Sequence, residues 1–409
     1  MGNVPLVLGA DGAWLDVGFS TFEQGVAGGR LLDGISSWWV ITHGHRHPRI
    51  VAAIKAQADR LDQVIFAGLT HQPAEDLARA LIGVVPKGLV HVFYSDSGST
   101  SVEVALKMAL GFWKNQGKAR TRIIALEHAY HGDTVGTMSA GARGLFNATY
   151  EPLLFDVVRL PFPAPGREQQ TFDMLKASAG DAAALIVEPL ILGAGGMLIY
   201  SPEVLRELAM ICRRYGTLLI ADEVMTGFGR TGSLFACRQA EVAPDILCLA
   251  KGLTGGSLPL AATLCTAEIF DAHYSTDRRR TFFHSSSFTA NPIACAAARA
   301  NLEIWESEPV MERIAALGAM QEARFAPFRK DIRFENVRRQ GTITAMDLKV
   351  PDPGYLAGIG PQLMAFSMAR GVLLRPLGNC IYVMPPYCVT AEELDLVYNV
   401  IAQAAEKFA

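Results

Sequence analysis

The chain has 409 residues, of which 50% are hydrophobic and only 19% are charged, and this composition excludes an intrinsically disordered protein. Its 37 basic and 40 acidic side chains give a formal net charge of −3, which excludes the strongly basic surface of a nucleic-acid-binding protein. A chain of this length is expected to form two or three domains with a large core.

Short apolar runs recur along the chain, and each run ends at a polar or small residue. They lie at 92–94, 122–126, 184–187, 218–221 and 245–250, with helical spacing of apolar residues between them, as at 102–113 and 204–212. Runs of this length predict buried parallel strands. Their alternation with helices predicts an α/β fold, in which helices cover both faces of a mainly parallel sheet.

The pattern changes after about residue 306. The sequence then predicts an amphipathic helix at 310–328, extended segments near 342–348 and 381–384, and a last helix at 391–407. Residues 1–35 are rich in turns, with short strand candidates around Trp14 and Leu31. We therefore predict that 1–35 and 307–409 form the two parts of a small α+β domain, and that 36–306 form a large domain.

The longest apolar stretch, 182–200, is interrupted by Glu188 and Pro189, so no membrane-spanning helix is predicted. The N-terminus shows neither a signal-peptide pattern nor a myristoylation motif. The seven cysteines include no Cys-x-x-Cys pair, and several lie in apolar runs, which favours free buried thiols over a disulfide framework. These features predict a cytoplasmic protein.

Ligands of a parallel sheet bind beyond the carboxyl ends of its strands, so the residues that follow the apolar runs are candidates for a site. The segment 97–101 consists of small hydroxylated residues and one glycine, and it precedes a predicted helix. Such a segment suits a phosphate group, although an ordinary helix N-cap explains it equally well. Glu188 and Glu223 are further carboxylates near such strand ends.

Asp222 and Lys251 each follow a strand that is predicted to be buried. A buried carboxylate is costly without a partner, and a desolvated lysine amine is a good nucleophile for a Schiff base. Alternatively, the two side chains pair with each other or reach solvent. The combination of a phosphate-binding segment, a buried acid and a buried lysine favours pyridoxal 5'-phosphate, which needs an anchor, a partner for its ring nitrogen and an amine.

Two other patterns suggest different ligands. Residues 227–232 match the Gly-x-Gly-x-x-Gly pattern of dinucleotide sites, but Asp222 and Glu223 would repel a pyrophosphate and no long helix is predicted to follow. The histidines at 43, 45 and 47 alternate as metal ligands do, but no carboxylate or cysteine lies nearby in the sequence. A turn with solvated or locally bonded imidazoles is favoured, so we expect neither a nicotinamide cofactor nor a metal.

Several segments resemble the class III aminotransferases, which have the type I fold of pyridoxal-phosphate enzymes. The resemblance covers nearly the whole chain, and its main segments are Asp-Ser-Gly-Ser at 96–99, Tyr-His-Gly-Asp-Thr at 130–134, 220–232, 250–256 and 288–292. The segments 34–39, 103–110, 193–197, 243–249 and 375–387 are most similar to the members of this class that act in biotin synthesis. The segments are specific together, whereas no single one is.

The resemblance implies pyridoxal 5'-phosphate as the cofactor and assigns residues to it. Lys251 is implied as the lysine that bonds the cofactor and moves a proton, and Asp222 as the partner of the ring nitrogen. Tyr130 is implied to stack on the ring, and Gly98 and Ser99 to bind the phosphate. Because the family supplies phosphate ligands from the neighbouring subunit, Ser286 and Ser287 imply a homodimer with shared active sites.

The resemblance also implies a set of substrate-binding residues. Arg375 is expected to bind a substrate carboxylate, although a surface position is an alternative for this arginine. Core packing is an alternative for Trp38 and Tyr382. The full set is Trp38, Asp133, Arg230, Ser285, Arg375 and Tyr382.

Two features depart from the family pattern. The segment His-Ser-Ser-Ser-Phe at 284–288 replaces the usual His-Gly-Pro-Thr-Phe, although its serine hydroxyls are still able to bind a phosphate. Family members also carry a further N-terminal segment with a Trp-His-Pro motif and an aromatic residue over the substrate, and residues 17–29 differ from their compact hairpin. The alternatives are a shortened N-terminal segment and a divergent N-terminal lid, and we expect either one to affect substrate affinity.

The activity that the resemblance implies is transfer of an amine from S-adenosylmethionine to 8-amino-7-oxononanoate, which yields 7,8-diaminononanoate. The alternatives are another class III enzyme that acts on ω-amino acids or diamines, the same acceptor with lysine as donor, and a non-catalytic member that keeps the fold. The presence of both Lys251 and Asp222 argues against a non-catalytic member.

Overall fold

The computed structural model describes residues 4–18, 29–144 and 147–409. The strands are β1 (Leu6–Asp11), β2 (Trp14–Gly18), β3 (Gly29–Asp33), β4 (Leu89–Ser95), β5 (Arg122–Leu126), β6 (Val158–Leu160), β7 (Ala182–Val187), β8 (Ile191–Leu192), β9 (Leu198–Ile199), β10 (Leu218–Asp222), β11 (Ile246–Leu249), β12 (Ala261–Thr266), β13 (Phe334–Gln340), β14 (Ile343–Leu348), β15 (Val372–Leu373) and β16 (Cys380–Val383). Most of the segment at 17–29, for which the sequence predicts a difference from the family, lies outside the described residues.

The helices are α1 (Ser36–Trp39), α2 (Pro48–Ala58), α3 (Gln72–Val84), α4 (Gly98–Asn115), α5 (Val135–Ala140), α6 (Glu168–Ser178), α7 (Pro202–Tyr215), α8 (Ala267–His273), α9 (Pro292–Ser307), α10 (Val310–Phe325), α11 (Ile359–Met368) and α12 (Ala391–Phe408). Short 3₁₀ segments lie at Ala148–Leu153, Ala179–Asp181, Ala236–Arg238, Lys251–Thr254, Arg278–Arg280 and Ala326–Lys330. The first helix, α1, is a single turn with non-helical backbone angles at Ser37 and Trp38.

A seven-stranded sheet forms the centre of the molecule, in the order β4-β12-β11-β10-β7-β5-β6. The five strands predicted from apolar runs all belong to it and run parallel to one another, while β12 runs antiparallel to both of its neighbours. The predicted mainly parallel α/β sheet is confirmed. The sequence analysis did not identify β6 and β12, and β4 is a half-buried edge strand rather than a fully buried one.

Helices cover both faces of this sheet, as the apolar spacing predicts. Leu185 and Val187 of β7 pack into the core that holds Leu205 and Leu208 of α7. The intervening Ile186 packs on the opposite face, into the core that contains the apolar residues of α4. This alternation makes β7 buried along its whole length, so its carboxyl end delivers Glu188 into the interior.

The C-terminal region forms a smaller unit with β13, β14 and β16 in an antiparallel sheet and α10, α11 and α12 packed around one apolar core. A second small sheet has the order β1-β2-β3-β15, in which β3 from the N-terminal region pairs in parallel with β15 through Leu32 and Val372. These pairings support the division into a small domain at 1–35 and 307–409 and a large domain at 36–306, which we retain as a proposal.

None of the helices in the described ranges combines the length and the apolar composition of a bilayer-spanning segment. All seven cysteines are free thiols, as the sequence predicts. Six of them are buried, and Cys388 is exposed.

Candidate active site

A cavity of about 610 Å³ lies beyond the carboxyl ends of β4, β7, β10 and β11. Its lining residues come from 38–260 and from 355–382. The predicted site residues that line it are Trp38, Gly98, Ser99, Tyr130, Asp133, Asp222, Lys251, Arg375 and Tyr382, together with Glu188. The fold therefore brings residues from distant parts of the chain together around one cavity.

Lys251 lies two residues beyond the end of β11, and its backbone has a left-handed φ of 47°. Its side chain faces the cavity, with Nζ 4.6 Å from the ring centroid of Trp39. Burial lowers the pKa of Lys251 to about 8, against the opposing effect of the carboxylates of Asp222 and Glu188. A larger fraction of this amine is therefore neutral near physiological pH than for an exposed lysine, which is the state that attacks a carbonyl group.

Asp222 ends β10 and is buried at the bottom of the cavity. Its Oδ2 lies 2.7 Å from Nδ1 of His131, and its Oδ1 accepts a hydrogen bond from the backbone N–H of Val224 at 3.2 Å. The alternative of an ion pair with Lys251 is not found among the described residues, since the imidazole is the partner instead. A carboxylate fixed in this way presents negative charge to the cavity.

His131 is a site residue that the sequence analysis did not single out. It follows Tyr130 directly in the segment that resembles the family, and this adjacency was the available signal. Its ring is buried, and its Nε2 has no hydrogen-bond partner among the described residues. The imidazole therefore holds Asp222 in place through Nδ1 alone.

Glu188 connects two loops of the cavity wall. Its Oε1 accepts the backbone N–H of Tyr130 and its Oε2 accepts the N–H of Gly193, both at 2.9 Å. Burial raises the pKa of Glu188 to about 7. On the neighbouring loop, the Tyr130 hydroxyl donates to Oδ2 of Asp133 at 2.7 Å, and burial raises the pKa of Tyr130. These contacts fix the orientation of the Tyr130 ring towards the cavity.

The first turn of α4 also lines the cavity. Ser97 and Thr100 cap this helix reciprocally: Ser97 Oγ accepts from the N–H of Thr100 at 3.2 Å, and Thr100 Oγ1 accepts from the N–H of Ser97 at 2.9 Å. The two interpretations of this segment, N-cap and anion site, are compatible: the cap engages the side chain of Ser97, and Gly98 and Ser99 line the cavity next to it. A Cβ at Gly98 would lie 2.6 Å from a methyl group of Val224, so only glycine fits.

The donor set fits pyridoxal 5'-phosphate. A helix N-terminus with glycine and serine suits the phosphate, a buried carboxylate held by histidine suits the ring nitrogen, and a desolvated amine suits the aldehyde. The three features stand around one cavity.

Arg375 lies on the wall formed by the C-terminal region, and its guanidinium carbon is 3.9 Å from the ring centroid of Trp38. Trp38 itself is 56% exposed, so it is a cavity residue and not part of the core. Tyr382 is buried, and its hydroxyl accepts the indole N–H of Trp39 at 2.9 Å. Tyr355 and Trp39 also line this wall and were not predicted.

Arg230, which the resemblance implies as a substrate-binding residue, is not among the residues that line the cavity. Arg230 is fully buried outside the cavity, and its guanidinium donates to the backbone carbonyls of Ile41 at 2.6 Å and Pro385 at 3.2 Å. It also donates to Ser36 Oγ at 3.2 Å. These contacts direct the guanidinium at groups of the protein rather than at the cavity. The sequence motif located this arginine correctly next to the site but gave no information about where its side chain points.

Ser285, Ser286 and Ser287 do not line the cavity of their own chain. Ser285 and Ser287 are exposed, and Ser286 is half-buried with its hydroxyl bonded to the carboxylate of Asp96. The expectation that Ser285 lines the substrate channel is thus not met within one chain, because the segment lies on the surface.

The two competing ligand patterns take on structural roles. The segment at 227–232 is followed only by the three-residue turn Ala236–Arg238, which offers no long helix to a pyrophosphate. The three histidines bond to three different partners: His43 to Asn301 at 2.8 Å, His45 to Asp33 at 2.9 Å and His47 to Glu308 at 3.7 Å. The expected solvated or local contacts are wrong for His43, which is buried, and for His47, because the partners of both are remote in sequence.

Comparison with known proteins agrees with this geometry. The family model "Aminotransferase class-III" matches residues 19–405. The chain is 48% identical over 393 residues to adenosylmethionine-8-amino-7-oxononanoate aminotransferase of Synechococcus elongatus, covering 93% of this chain and 92% of the relative. It is 40% identical to the protein of that name from Geobacter sulfurreducens, covering 91% and 87% of the two chains.

Two solved structures have the same fold. Adenosylmethionine-8-amino-7-oxononanoate aminotransferase of Methanocaldococcus jannaschii superimposes with a TM-score of 0.94 at 33% identity and covers 100% of this chain and 94% of that one. An amine transaminase from an uncultivated Pseudomonas species, solved in its PLP-bound form, gives a TM-score of 0.91 at 33% identity and covers 99% and 95%. The chain therefore belongs to the class III aminotransferases, the pyridoxal-phosphate-dependent transaminases of fold type I.

Proposed function

We propose that this aminotransferase moves an amine from S-adenosylmethionine to 8-amino-7-oxononanoate and so forms 7,8-diaminononanoate for biotin synthesis. The observation that carries the proposal is the arrangement of one cavity, with Lys251 and Asp222 on one wall and the guanidinium of Arg375 on the other. A long acid with a carbonyl group at its far end suits this arrangement. The names of the relatives at 48% and 40% identity support the same substrates.

The residues that would hold pyridoxal 5'-phosphate are those of the cavity wall. We assign the phosphate to Gly98 and Ser99, the ring nitrogen to Asp222, the ring face to Tyr130 and the aldehyde carbon to the amine of Lys251. When bound, the cofactor supplies a conjugated ring that takes up the electron pair left by a departing substrate proton.

In this proposal Asp222 keeps a proton on the ring nitrogen. Its carboxylate faces the cavity, and the contact with His131 at 2.7 Å prevents it from turning away. A negative charge held at a fixed position stabilises a developing positive charge without reorganisation during the reaction.

Lys251 acts as the general base and acid. Because burial lowers its pKa to about 8, its Nζ can accept a proton from the substrate carbon and return it at moderate pH. The Trp39 ring at 4.6 Å covers one side of the amine and restricts the access of water.

Substrate orientation is assigned to residues around the opening of the cavity. We propose that Arg375 binds the substrate carboxylate, and that Trp38, Asp133 and Tyr382 line the path of the chain between the two ends. Arg230 is not part of this set, because its donors are directed at the backbone.

We further propose a cytoplasmic homodimer. Ser286 and Ser287 lie outside the cavity of their own chain, in a segment flanked by Phe283 and Phe288, which are 66% and 62% exposed. Such apolar exposure suits a subunit interface, at which Ser286 and Ser287 would reach the phosphate site of the partner and Ser285 its substrate channel. The cytoplasmic location is supported by seven unpaired cysteines, which are typical of a reducing compartment.

A second candidate is a class III enzyme that acts on ω-amino acids or diamines, or that uses lysine as the donor for the same acceptor. One observation favours this candidate: the amine transaminase and the Methanocaldococcus protein are equally similar to this chain in sequence, at 33% identity.

The experiment that separates these functions is a matrix of donors and acceptors on the PLP-loaded protein. We expect 7,8-diaminononanoate to form from 8-amino-7-oxononanoate when S-adenosylmethionine is present, as detected by mass spectrometry. Formation of 7,8-diaminononanoate with lysine, and none with S-adenosylmethionine, would identify lysine as the amino donor. Turnover of simple diamines or ω-amino acids, with none of 8-amino-7-oxononanoate, would establish the second candidate.

The role of Arg375 leads to a prediction about substrate affinity. Because its guanidinium is exposed to the cavity, we expect Arg375→Ala to lose about 1.5 to 3 kcal/mol of a charge-assisted contact, or about 10- to 150-fold in kcat/KM for 8-amino-7-oxononanoate. Arg375→Lys should recover only part of this loss, since lysine lacks the bidentate geometry.

The matched control is Arg370→Ala. Arg370 also lies in the C-terminal region and stacks on a ring, that of Phe366 at 3.5 Å, but it does not line the cavity. Steady-state kinetics of both half-reactions should show a larger loss for the keto acid than for S-adenosylmethionine. An unchanged kcat/KM in both half-reactions would contradict the proposed orientation.

A further inference from the structure

The turn α1 carries unusual backbone strain next to the cavity. Ser36, Ser37 and Trp39 have φ angles of 52°, 58° and 64°, which place three of its four residues in the left-handed region. This conformation is unfavourable for residues other than glycine, so surrounding contacts must maintain it. Strain of this kind is concentrated at functional sites.

The strained turn directs two consecutive indoles into the same cavity. Neighbouring side chains of an extended strand point to opposite sides, yet Trp38 and Trp39 both line the cavity. Trp39 covers the amine of Lys251 at 4.6 Å, and Trp38 lies under the guanidinium of Arg375 at 3.9 Å. One turn therefore contacts both the amine and the guanidinium of the site.

Asp33 binds this turn through hydrogen bonds outside the cavity. Its carboxylate is completely buried at the end of β3 and does not line the cavity. Oδ1 accepts the backbone N–H groups of Ser37 at 2.8 Å and Ile35 at 3.3 Å. Oδ2 accepts the hydroxyl of Ser37 at 2.9 Å and contacts Nε2 of His45 at 2.9 Å. Two of these four contacts are made to Ser37, which is left-handed.

We infer that Asp33 is a positioning residue of the active site, which acts on catalysis by holding the strained turn that carries Trp38 and Trp39. The carboxylate does not touch substrate or cofactor. Its effect passes through the backbone of Ser37 to the two indoles, and from Trp39 to the environment of Lys251. This inference rests on the proposed role of the cavity as the active site.

A purely structural role for Asp33 makes a different prediction. In that case its loss lowers the stability of the sheet that contains β3 but leaves the folded fraction with a normal site. The test therefore needs a measurement on the folded enzyme that reports on Lys251 and requires no substrate. The pH at which the absorbance of bound PLP changes is such a measurement, because it depends on the surroundings of the lysine nitrogen.

The variants are Asp33→Asn, which keeps the shape but loses the charge and an acceptor, and Asp33→Ala, which loses all four contacts. We expect kcat/KM to fall about 10-fold for Asp33→Asn and about 100-fold for Asp33→Ala, within the range for misplaced positioning groups. The pH of the absorbance change should rise by about half a unit or more, because water admitted near Lys251 favours its protonated form.

Asp16→Asn is the matched control. Asp16 lies in β2 of the same sheet, is 51% exposed and pairs with Arg30 at 3.2 Å. It should change neither kcat/KM nor the absorbance titration. Ser37→Ala removes only the hydroxyl contact to Asp33, and we expect a smaller effect in the same direction.

Two results would overturn the inference. One is a kcat/KM of Asp33→Asn equal to that of the control. The other is a loss of activity that matches the loss of folded protein while the absorbance titration stays unchanged. If Asp33→Ala does not fold, Asp33→Asn and Ser37→Ala decide the question. Because the titration needs no substrate, an error in the proposed substrates leaves it interpretable.

Discussion

Lys251→Ala should abolish transamination while PLP still binds. We expect kcat to fall by at least about 10⁴-fold, since the variant loses the group that bonds the cofactor and also the general base. Binding should persist because Gly98, Ser99 and Asp222 do not depend on the amine. Turnover is measured by product formation, and binding by equilibrium dialysis of PLP.

Lys176→Ala serves as the control for this change. Lys176 lies on the surface in α6, where it pairs with Asp173 at 3.6 Å. Its loss should leave both turnover and PLP binding as they are. Near-native transamination by Lys251→Ala would show that another amine serves the reaction.

Asp222→Asn should reduce turnover by about 10²- to 10³-fold, the range expected when one preorganised electrostatic contact is removed. The amide preserves the shape and can still bond to His131, but it carries no charge to keep a proton on the ring nitrogen. The rate should therefore fall more than donor affinity, as measured by kcat and KM separately.

Asp245→Asn is a close control, because this aspartate is half-buried and borders the same sheet. Its Oδ2 accepts the N–H of Leu219 at 2.7 Å, and burial raises the pKa of Asp245. It does not line the cavity, so its variant should lose stability but keep its kcat. Equal losses of kcat in both variants would show that Asp222 acts through folding alone.

Much of the fold and of the site could be predicted from local sequence. Lys251 and Asp222 were identifiable because each ends a short apolar run, and the carboxyl ends of parallel strands meet at one edge of a sheet. β12 was not identified, since its antiparallel pairing depends on contacts with β4, which is remote in sequence. The same limit applies to His131, whose role depends on a contact with Asp222 across 91 residues of chain.

Side-chain direction was the least predictable property. Arg230 was placed correctly beside the site, but its orientation depends on carbonyl groups at Ile41 and Pro385, which only the folded chain brings close. The role inferred for Asp33 could not be predicted either. It depends on the left-handed backbone of Ser36, Ser37 and Trp39, which a pattern of apolar and polar residues does not reveal.

The reciprocal cap between Ser97 and Thr100 orders the first turn of α4 before any ligand binds. Because these two residues already order the first turn of α4, a phosphate that binds there needs little additional loss of conformational freedom. The first turn of α4 is therefore an ordered binding site for the phosphate group of a ligand. Arg375 and Tyr382, which also line the cavity, belong to the C-terminal region. Substitutions in that region can therefore change the cavity without changing the first turn of α4. We therefore expect substitutions that change substrate preference to occur among the lining residues of the C-terminal region, while the phosphate-binding turn stays the same.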